Sequence, residues 1–395
     1  MSETPDAELE DRVIQWLDGR TDALSESLRE LVDAPSGPHE RDGQRACLEL
    51  LVRRWRRIGF RTEILEAAAG LGHLVAHRPA EVPDAPKVLL LGHLDTVFDQ
   101  SAGFVGMHRV GEWLAGPGVA DMKGGLVVAR AVVESLLVAG QAGAIDWTLL
   151  VTSDEEIGSP TSRSIVERTA AGRDLVLCFE PGRSGFAVVD GRAGVAAFSV
   201  AFHGRAAHAG VDPERGRNAI VAAAAFAVEV GSIADAGQGT LVSVGTISGG
   251  SKRNVVPELC RLELDARAQS AAEAERVVAA VQALASDVGA RHEVRAEVRG
   301  GFHRPPWPRD PHGPHAHFAA VAKDLGMPLP AVTTGGGSDA NLAASAGAPT
   351  LDGLGPVGFG MHSTEERIER HTLVERAKLI ALALLRFRPQ PHPEA

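Results

Sequence analysis

An imidazole and several carboxylates stand at the ends of three short apolar runs in this chain. His93 and Asp95 follow Val88-Leu89-Leu90-Leu91. Asp154-Glu155-Glu156 follows Leu149-Leu150-Val151-Thr152-Ser153, and Glu180 follows Leu175-Val176-Leu177-Cys178-Phe179. Imidazole nitrogens and carboxylate oxygens are ligands of divalent cations. Charges gathered beside apolar segments need compensation, and bound cations are a usual source of it. His93 and Asp95 are two residues apart, so on an extended backbone their side chains leave the same face. A carboxylate next to a ligating imidazole fixes its tautomer and raises its basicity. Glu155 and Glu156 are adjacent and diverge, so one can bind metal while the other faces a reacting water. That is the ligand-plus-base division that a metal-assisted hydrolase needs. Each signal also has a plainer reading: a surface turn for His93 and Asp95, a solvated acidic turn for residues 154–156, a helix N-cap for Asp121, and a structural histidine for His362. The conjunction predicts a metal site.

The elements that must position these residues are legible in the same runs. Short apolar stretches bounded by polar turns read as strands buried on both faces, as in a parallel sheet covered by helices. In such sheets ligands collect outside the carboxyl ends of the strands. Helical spacing covers residues 11–33 and 40–58, with a break at Pro35-Ser36-Gly37-Pro38. From Thr62 to Ile157 the order is strand, strand, helix, strand, with the helix near Gly124–Val138. This alternation predicts an α/β sheet. After Gly191 the pattern becomes strand, helix, strand, strand, helix, strand, ending near Val298. That order is the split-βαβ, ferredoxin-like unit. Pro305-Pro306-Trp307-Pro308 reads as a rigid linker. The α/β pattern then returns, with helices at His315–Leu325 and His371–Phe387 around a loop at Gly335–Asn341. The expected division is 1–190 and 305–395 for a larger domain, with 191–304 inserted into it.

With 395 residues, two domains are the natural expectation. The net charge of −11 leaves no basic surplus for phosphates, which argues against a nucleic-acid partner. The basic clusters Arg53–Arg57 and Arg304–Arg309 are too short to reverse this. Cys47, Cys178 and Cys260 lack zinc-knuckle spacing and read as reduced core thiols. The polar, acidic start Met1–Glu10 and the absence of a long apolar stretch predict a cytoplasmic protein without a membrane span.

Five segments together resemble one family. They are Gly92-His93-Leu94-Asp95-Thr96-Val97; Gly116-Pro117-Gly118 through Asp121-Met122-Lys123-Gly124-Gly125; Asp154-Glu155-Glu156-Ile157-Gly158-Ser159; Glu180-Pro181; and Gly335-Gly336-Gly337-Ser338-Asp339-Ala340. In order and wording they resemble the zinc aminoacylase and glutamate carboxypeptidase family, which includes acetylornithine deacetylase and succinyl-diaminopimelate desuccinylase. The resemblance runs from about Ser25 to Leu385. It implies two divalent cations per subunit, zinc first, with cobalt or manganese as alternatives. Asp121 would bridge them, with His93 and Glu180 completing one site and Glu156 and His362 the other. Glu155 would be the general base acting on a hydroxide held between the ions, and Asp95 would orient His93. The inserted domain would be the family's lid and homodimerisation module. There His208, in Gly204-Arg205-Ala206-Ala207-His208-Ala209-Gly210, would stabilise the oxyanion. Asn254, Arg267, Arg304 and Gly336 would hold the substrate, Arg267 through its planar fork on a carboxylate.

The function these residues imply is cleavage of a terminal amide in a small carboxylate-bearing or dipeptide-like substrate, glutamate-carboxypeptidase-like. One alternative is an N-acyl-amino-acid deacylase, and another is a non-catalytic binding protein on the same fold. Retention of Glu155 beside all five ligands argues against the last. A phosphate-binding glycine loop at Gly335–Gly337 is poor because no Lys-Ser/Thr follows. His303, His312, His315 and His317 form a cluster without fixed spacing and read as a solvated linker.

Overall fold

The computed structural model describes residues 7–67 and 72–389. The chain forms two compact units. The first comprises residues 1–190, 309–333 and 338–395, and the second comprises 191–308 and 334–337.

The first unit is built on a six-stranded sheet. Its spatial order is Arg61–Glu66, Gly72–Arg78, Asp146–Thr152, Lys87–His93, Leu175–Cys178 and Thr350–Leu351. The four strands from Asp146–Thr152 to Thr350–Leu351 are mutually parallel, and the first two add an antiparallel edge. Alternate residues of the central strand serve opposite faces, as the pleat requires. Val88 and Leu90 join the large apolar cluster with Leu126, Val133 and Ile380. Leu89 and Leu91 are equally buried but lie outside that cluster. Helices Ala7–Leu17, Thr21–Val32, Lys123–Val138 and Thr372–Leu385 pack together in that cluster, while Arg163–Ala170 packs against Asp339–Ser345. The Lys123–Val138 helix approaches the sheet closely. A Cβ on Gly125 would lie 1.9 Å from the carbonyl oxygen of Phe179, so only glycine fits there.

The second unit orders its strands Leu241–Gly249, Leu259–Ala268, Gly194–His203, Arg295–Arg304, all antiparallel. In chain order its elements run strand, helix, strand, strand, helix, strand, with helices Ala219–Glu229 and Ala271–Arg291. Along Leu259–Ala268 buried and exposed residues alternate, so the sheet covers one face with its helices and leaves the other open.

Three sequence expectations change. Residues 11–33 form two helices, separated at Gly19, whose φ of 74° glycine adopts without penalty. The Pro-rich segment is paired rather than a linker. Arg192 N donates to Trp307 O at 2.7 Å and Trp307 N donates to Arg192 O at 2.9 Å, so the second unit extends to Pro308. The Thr334–Gly337 turn also clusters with that unit. His315 and His317 begin a helix and hydrogen-bond the carbonyls of Leu329 and Ala383, both at 2.8 Å, so they are structural rather than solvated.

A small sheet in the first unit had no signal in the sequence. It orders Gly358–Phe359, Arg367–Glu369, Trp113–Ala115 and His108–Val110. Arg367 pairs with Ala115, which brings the loop entering Asp121 beside the turn carrying His362.

Candidate metal centre

Register places the first donors. His93 aligns with Thr152 across one parallel ladder, and Leu91 aligns with Cys178 across the other. His93, the Asp154–Glu156 turn and Glu180 therefore emerge at one edge of the sheet. Asp121 arrives from the loop before the Lys123–Val138 helix. It does not cap that helix, whose N-cap position is Met122. His362 arrives from the turn after Gly358–Phe359, with a positive φ of 62°. It is exposed, whereas His93 and Glu180 are buried.

Asp121 lies between the two imidazoles. Its Oδ1 is 3.2 Å from His93 Nε2, and its Oδ2 is 3.4 Å from His362 Nε2. Glu180 Oε1 lies 3.7 Å from His93 Nε2, and Glu156 Oε2 lies 3.2 Å from His362 Nε2. Two sets of donor atoms each fall within 4.8 Å of one another: His93, Glu155 and Glu180, and His93, Asp121 and Glu156. Tetrahedral ligand bonds of ~2.0–2.2 Å put neighbouring donors about 3.3–3.6 Å apart. The donor types and spacings thus fit divalent cations. On the far side of the His93 ring, Nδ1 is 3.0 Å from the Asp95 carbonyl and 3.4 Å from Asp95 Oδ1. Asp95 Oδ2 also accepts from the backbone N–H of Glu156 at 2.9 Å, so this carboxylate ties the His93 loop to the glutamate turn.

The electrostatics follow from burial of many like charges. Burial, and then the charge of Asp121, push the Glu180 carboxyl well above its usual range. Burial likewise raises Glu156. Asp121 is pushed up by burial, but hydrogen bonds from His362 and His93 outweigh this and hold it well below the usual range. His93 is lowered by burial but carried well above its ordinary value by its bonds to Asp121 and Asp95. Asp121 and then Glu156 push His362 up to about 10. A cluster that draws positive charge onto both imidazoles is suited to hold cations in its place.

The remaining sequence-selected residues lie in the second unit. His208 is exposed; its N–H bonds Asp212 Oδ1 at 3.1 Å and its Nδ1 accepts from Gly210 N at 3.2 Å. Its loop pairs with the Asn254 segment through Ala209 N to Asn254 O at 3.1 Å and Val256 N to Ala207 O at 2.9 Å, so His208 and Asn254 are neighbours. Arg267 has its fork engaged by Asp265, with Nε and Nη2 each 2.8 Å from a carboxylate oxygen. Its Nη1 donates to Gly335 O at 3.0 Å, and Arg192 Nη1 donates to Gly336 O at 2.8 Å. Arg304 is buried, with its side chain beside Gly337.

Several supporting residues escaped the sequence reading. Asp154 is fully buried rather than solvated, and accepts from Thr161 N at 2.7 Å and from the Thr161 and Ser162 hydroxyls at 2.6 and 2.5 Å. Asp339 accepts from the hydroxyls of Thr152 at 2.9 Å and Ser159 at 2.6 Å, which closes the turn bearing Glu155 and Glu156. Glu366 is buried beneath the Asp121 loop, and burial pushes it up to about 7. None had a periodic signal, although Asp154 and Asp339 stood inside motifs already noted.

A mainly parallel α/β sheet with imidazoles and carboxylates gathered at its carboxyl edge defines a metallohydrolase class. Residues 89–386 match the peptidase family M20/M25/M40, and the chain belongs to that family. Carboxypeptidase G2 of Pseudomonas sp. (strain RS-16) is 30% identical over 378 residues, covering 92% of this chain and 88% of that protein. Succinyl-diaminopimelate desuccinylase of Delftia acidovorans is 28% identical over 372 residues, covering 88% and 93%. Aminopeptidase PepT from Bacillus cereus shares the fold, with a TM-score of 0.78 at 22% identity over 93% of this chain and 98% of that one. An M20 family metallo-carboxypeptidase from Sulfolobus solfataricus has a TM-score of 0.74 at 15% identity, covering 92% and 98%. This protein is accordingly a hydrolase of peptide or other amide bonds, with candidate ligands for divalent metal. Among the described residues, no helix is long and apolar enough to cross a membrane.

Proposed function

We propose that the protein is a cytoplasmic di-zinc amidohydrolase that removes a terminal amino acid from a small carboxylate-bearing amide, in the manner of a glutamate carboxypeptidase. The observation that carries this reading is the Asp121 carboxylate, with one oxygen facing His93 and the other facing His362. His93 and Glu180 would hold one cation and Glu156 and His362 the other, with Asp121 shared. Bound there, the cations would acidify a water and polarise an amide carbonyl. Glu155 takes the proton from that water on a carboxylate oxygen as the water oxygen bonds to the amide carbon, and delivers it to the amine nitrogen as the C–N bond breaks. Asp95 keeps the His93 ring oriented through its Nδ1 side. His208 donates a hydrogen bond to the carbonyl oxygen as negative charge develops on it. Asn254, Arg304 and Gly336 hold the substrate, and Arg267 joins them by exchanging Asp265 for the substrate carboxylate.

The second unit, residues 191–308 with 334–337, is in this reading a ferredoxin-like lid and dimerisation domain. Its edge strand Leu241–Gly249 is exposed along most of its length and carries Leu241 and Ile247 into solvent, which supports a homodimer. Relatives named as desuccinylases favour a second reading, deacylation of an N-acyl amino acid.

The test is Glu155→Gln. Metal content should be retained while turnover falls by at least about 10²–10⁴-fold, the usual worth of a general base. Near wild-type turnover would remove Glu155 from the mechanism. Metal-reconstituted wild type assayed on dipeptides with carboxyl-terminal glutamate and on N-succinyl amino acids separates the two substrate readings, with the former expected to be faster.

A further inference from the structure

Glu366 lies four residues after His362 and is 1% exposed. Its carboxylate accepts three backbone N–H groups from one short stretch: Gly118 at 3.1 Å on Oε2, and Ala120 at 2.8 Å and Asp121 at 3.0 Å on Oε1. Its own backbone continues the contact, because Gly116 N donates to Glu366 O at 3.2 Å. The buried Lys123 interacts with it electrostatically, but no Lys or Arg forms a direct ion pair with it among the described residues. A buried carboxylate without a direct ion pair is costly unless hydrogen bonds satisfy its lone pairs. Here the loop that ends in Asp121 supplies those bonds.

The other end of Glu366 leads directly to His362. Ser363 N donates to Gly360 O at 3.0 Å, and Glu366 N donates to Ser363 O at 3.1 Å, so residues 360–366 form a closed turn with His362 near its tip. One side chain therefore couples the loop of the shared carboxylate to the turn of a terminal ligand. An apolar residue would fill the same buried volume more cheaply for folding, but it could not fix three amides of the Asp121 loop.

We propose that Glu366 is a positioning residue. It holds the Asp121 backbone so that the carboxylate faces both imidazoles, and it keeps Asp121 and His362 at ligand spacing. This rests on the two-cation reading above. The cation shared by Asp121, Glu156 and His362 depends on both elements that Glu366 joins, whereas the one held by His93 and Glu180 depends on it only through Asp121.

Glu366→Gln preserves size but replaces one acceptor oxygen with an N–H₂ that faces a backbone N–H. The experiment is a cobalt(II) titration of the metal-stripped full chain, read by visible absorbance, beside melting curves of the metal-stripped protein. Supporting residues of metal ligands are typically worth about 10–100-fold in affinity. One binding step should lose about that much and the other less, beyond the lower metal-free melting temperature expected when a buried N–H loses its acceptor. Glu366→Asp, which keeps the charge on a shorter arm, should fall between wild type and Glu366→Gln, and it provides the same reading should the Gln variant not fold. Unchanged isotherms overturn the proposal, as does a lowered melting temperature with affinities intact. A wild type that binds one cobalt ion overturns the two-cation reading instead. The role of Glu366 is then judged on that single step, where a loss supports it and equality refutes it.

Discussion

At the scale of single residues, Asp121 has the position that decides metal content. Its two oxygens face two different imidazoles, while His362 faces Asp121 and Glu156. Asp121→Ala should therefore abolish binding of both cations, and His362→Ala should weaken mainly one. Elemental analysis of the purified variants checks this. Two ions retained by Asp121→Ala, or both lost from His362→Ala, would break the assignment. The sequence named five candidate ligands from their types and their resemblance to a family. It could not show that Glu155 also comes within reach of His93 and Glu180. It left Asp154 open to the plainer reading of a solvated acidic turn, because a run of acids carries no record of burial. The nearby hydroxyls of Thr161 and Ser162 are what allow Asp154 to be buried.

At the scale of elements, the turn from Thr152 to Ser159 must hold Glu155 and Glu156 in different directions. Asp339 grips both ends of it through two hydroxyls, from a helix nearly two hundred positions later. Asp339→Ala removes the acceptor that the buried Thr152 and Ser159 hydroxyls share, and a buried group left unsatisfied costs about 1–3 kcal/mol. The expected outcome is a lower melting temperature together with turnover reduced by about 10–100-fold per metal-loaded molecule. Loss of stability with turnover unchanged would mean that the turn keeps its shape unaided. The three strands that deliver the site were legible, since continuous apolar runs have few other uses. The small sheet joining Trp113–Ala115 to Arg367–Glu369 was not, because three-residue strands give no periodicity.

At the scale of the molecule, the second unit carries the proposed oxyanion donor. His208 lies there in an exposed loop paired with the Asn254 segment. His208→Ala should lower turnover by about 10²–10³-fold, the cost of losing one oxyanion donor, with metal content unchanged. Inactive Glu155→Gln subunits mixed with inactive His208→Ala subunits should regain activity if the histidine serves the partner's site. Subunit exchange without recovery would confine His208 to its own chain or remove it from the reaction.

Local patterning predicted a metal site on an α/β sheet, and the resemblance of five motifs supplied the family to which the chain belongs. Apolar runs ending in His93, Glu155-Glu156 and Glu180 imply buried parallel strands with metal ligands at their ends, and the alternation after Gly191 implies a separate sheet with one open face. Those inferences hold because burial and strand period act within a few residues. The supports of the site belong to a different range. Asp339 under the glutamate turn, Glu366 under Asp121 and Asp265 in the fork of Arg267 each satisfy a polar group whose partner the chain order does not announce. Hydrogen bonds between distant segments form only after the core has fixed both backbones, so only the folded chain reveals which carboxylate holds which loop.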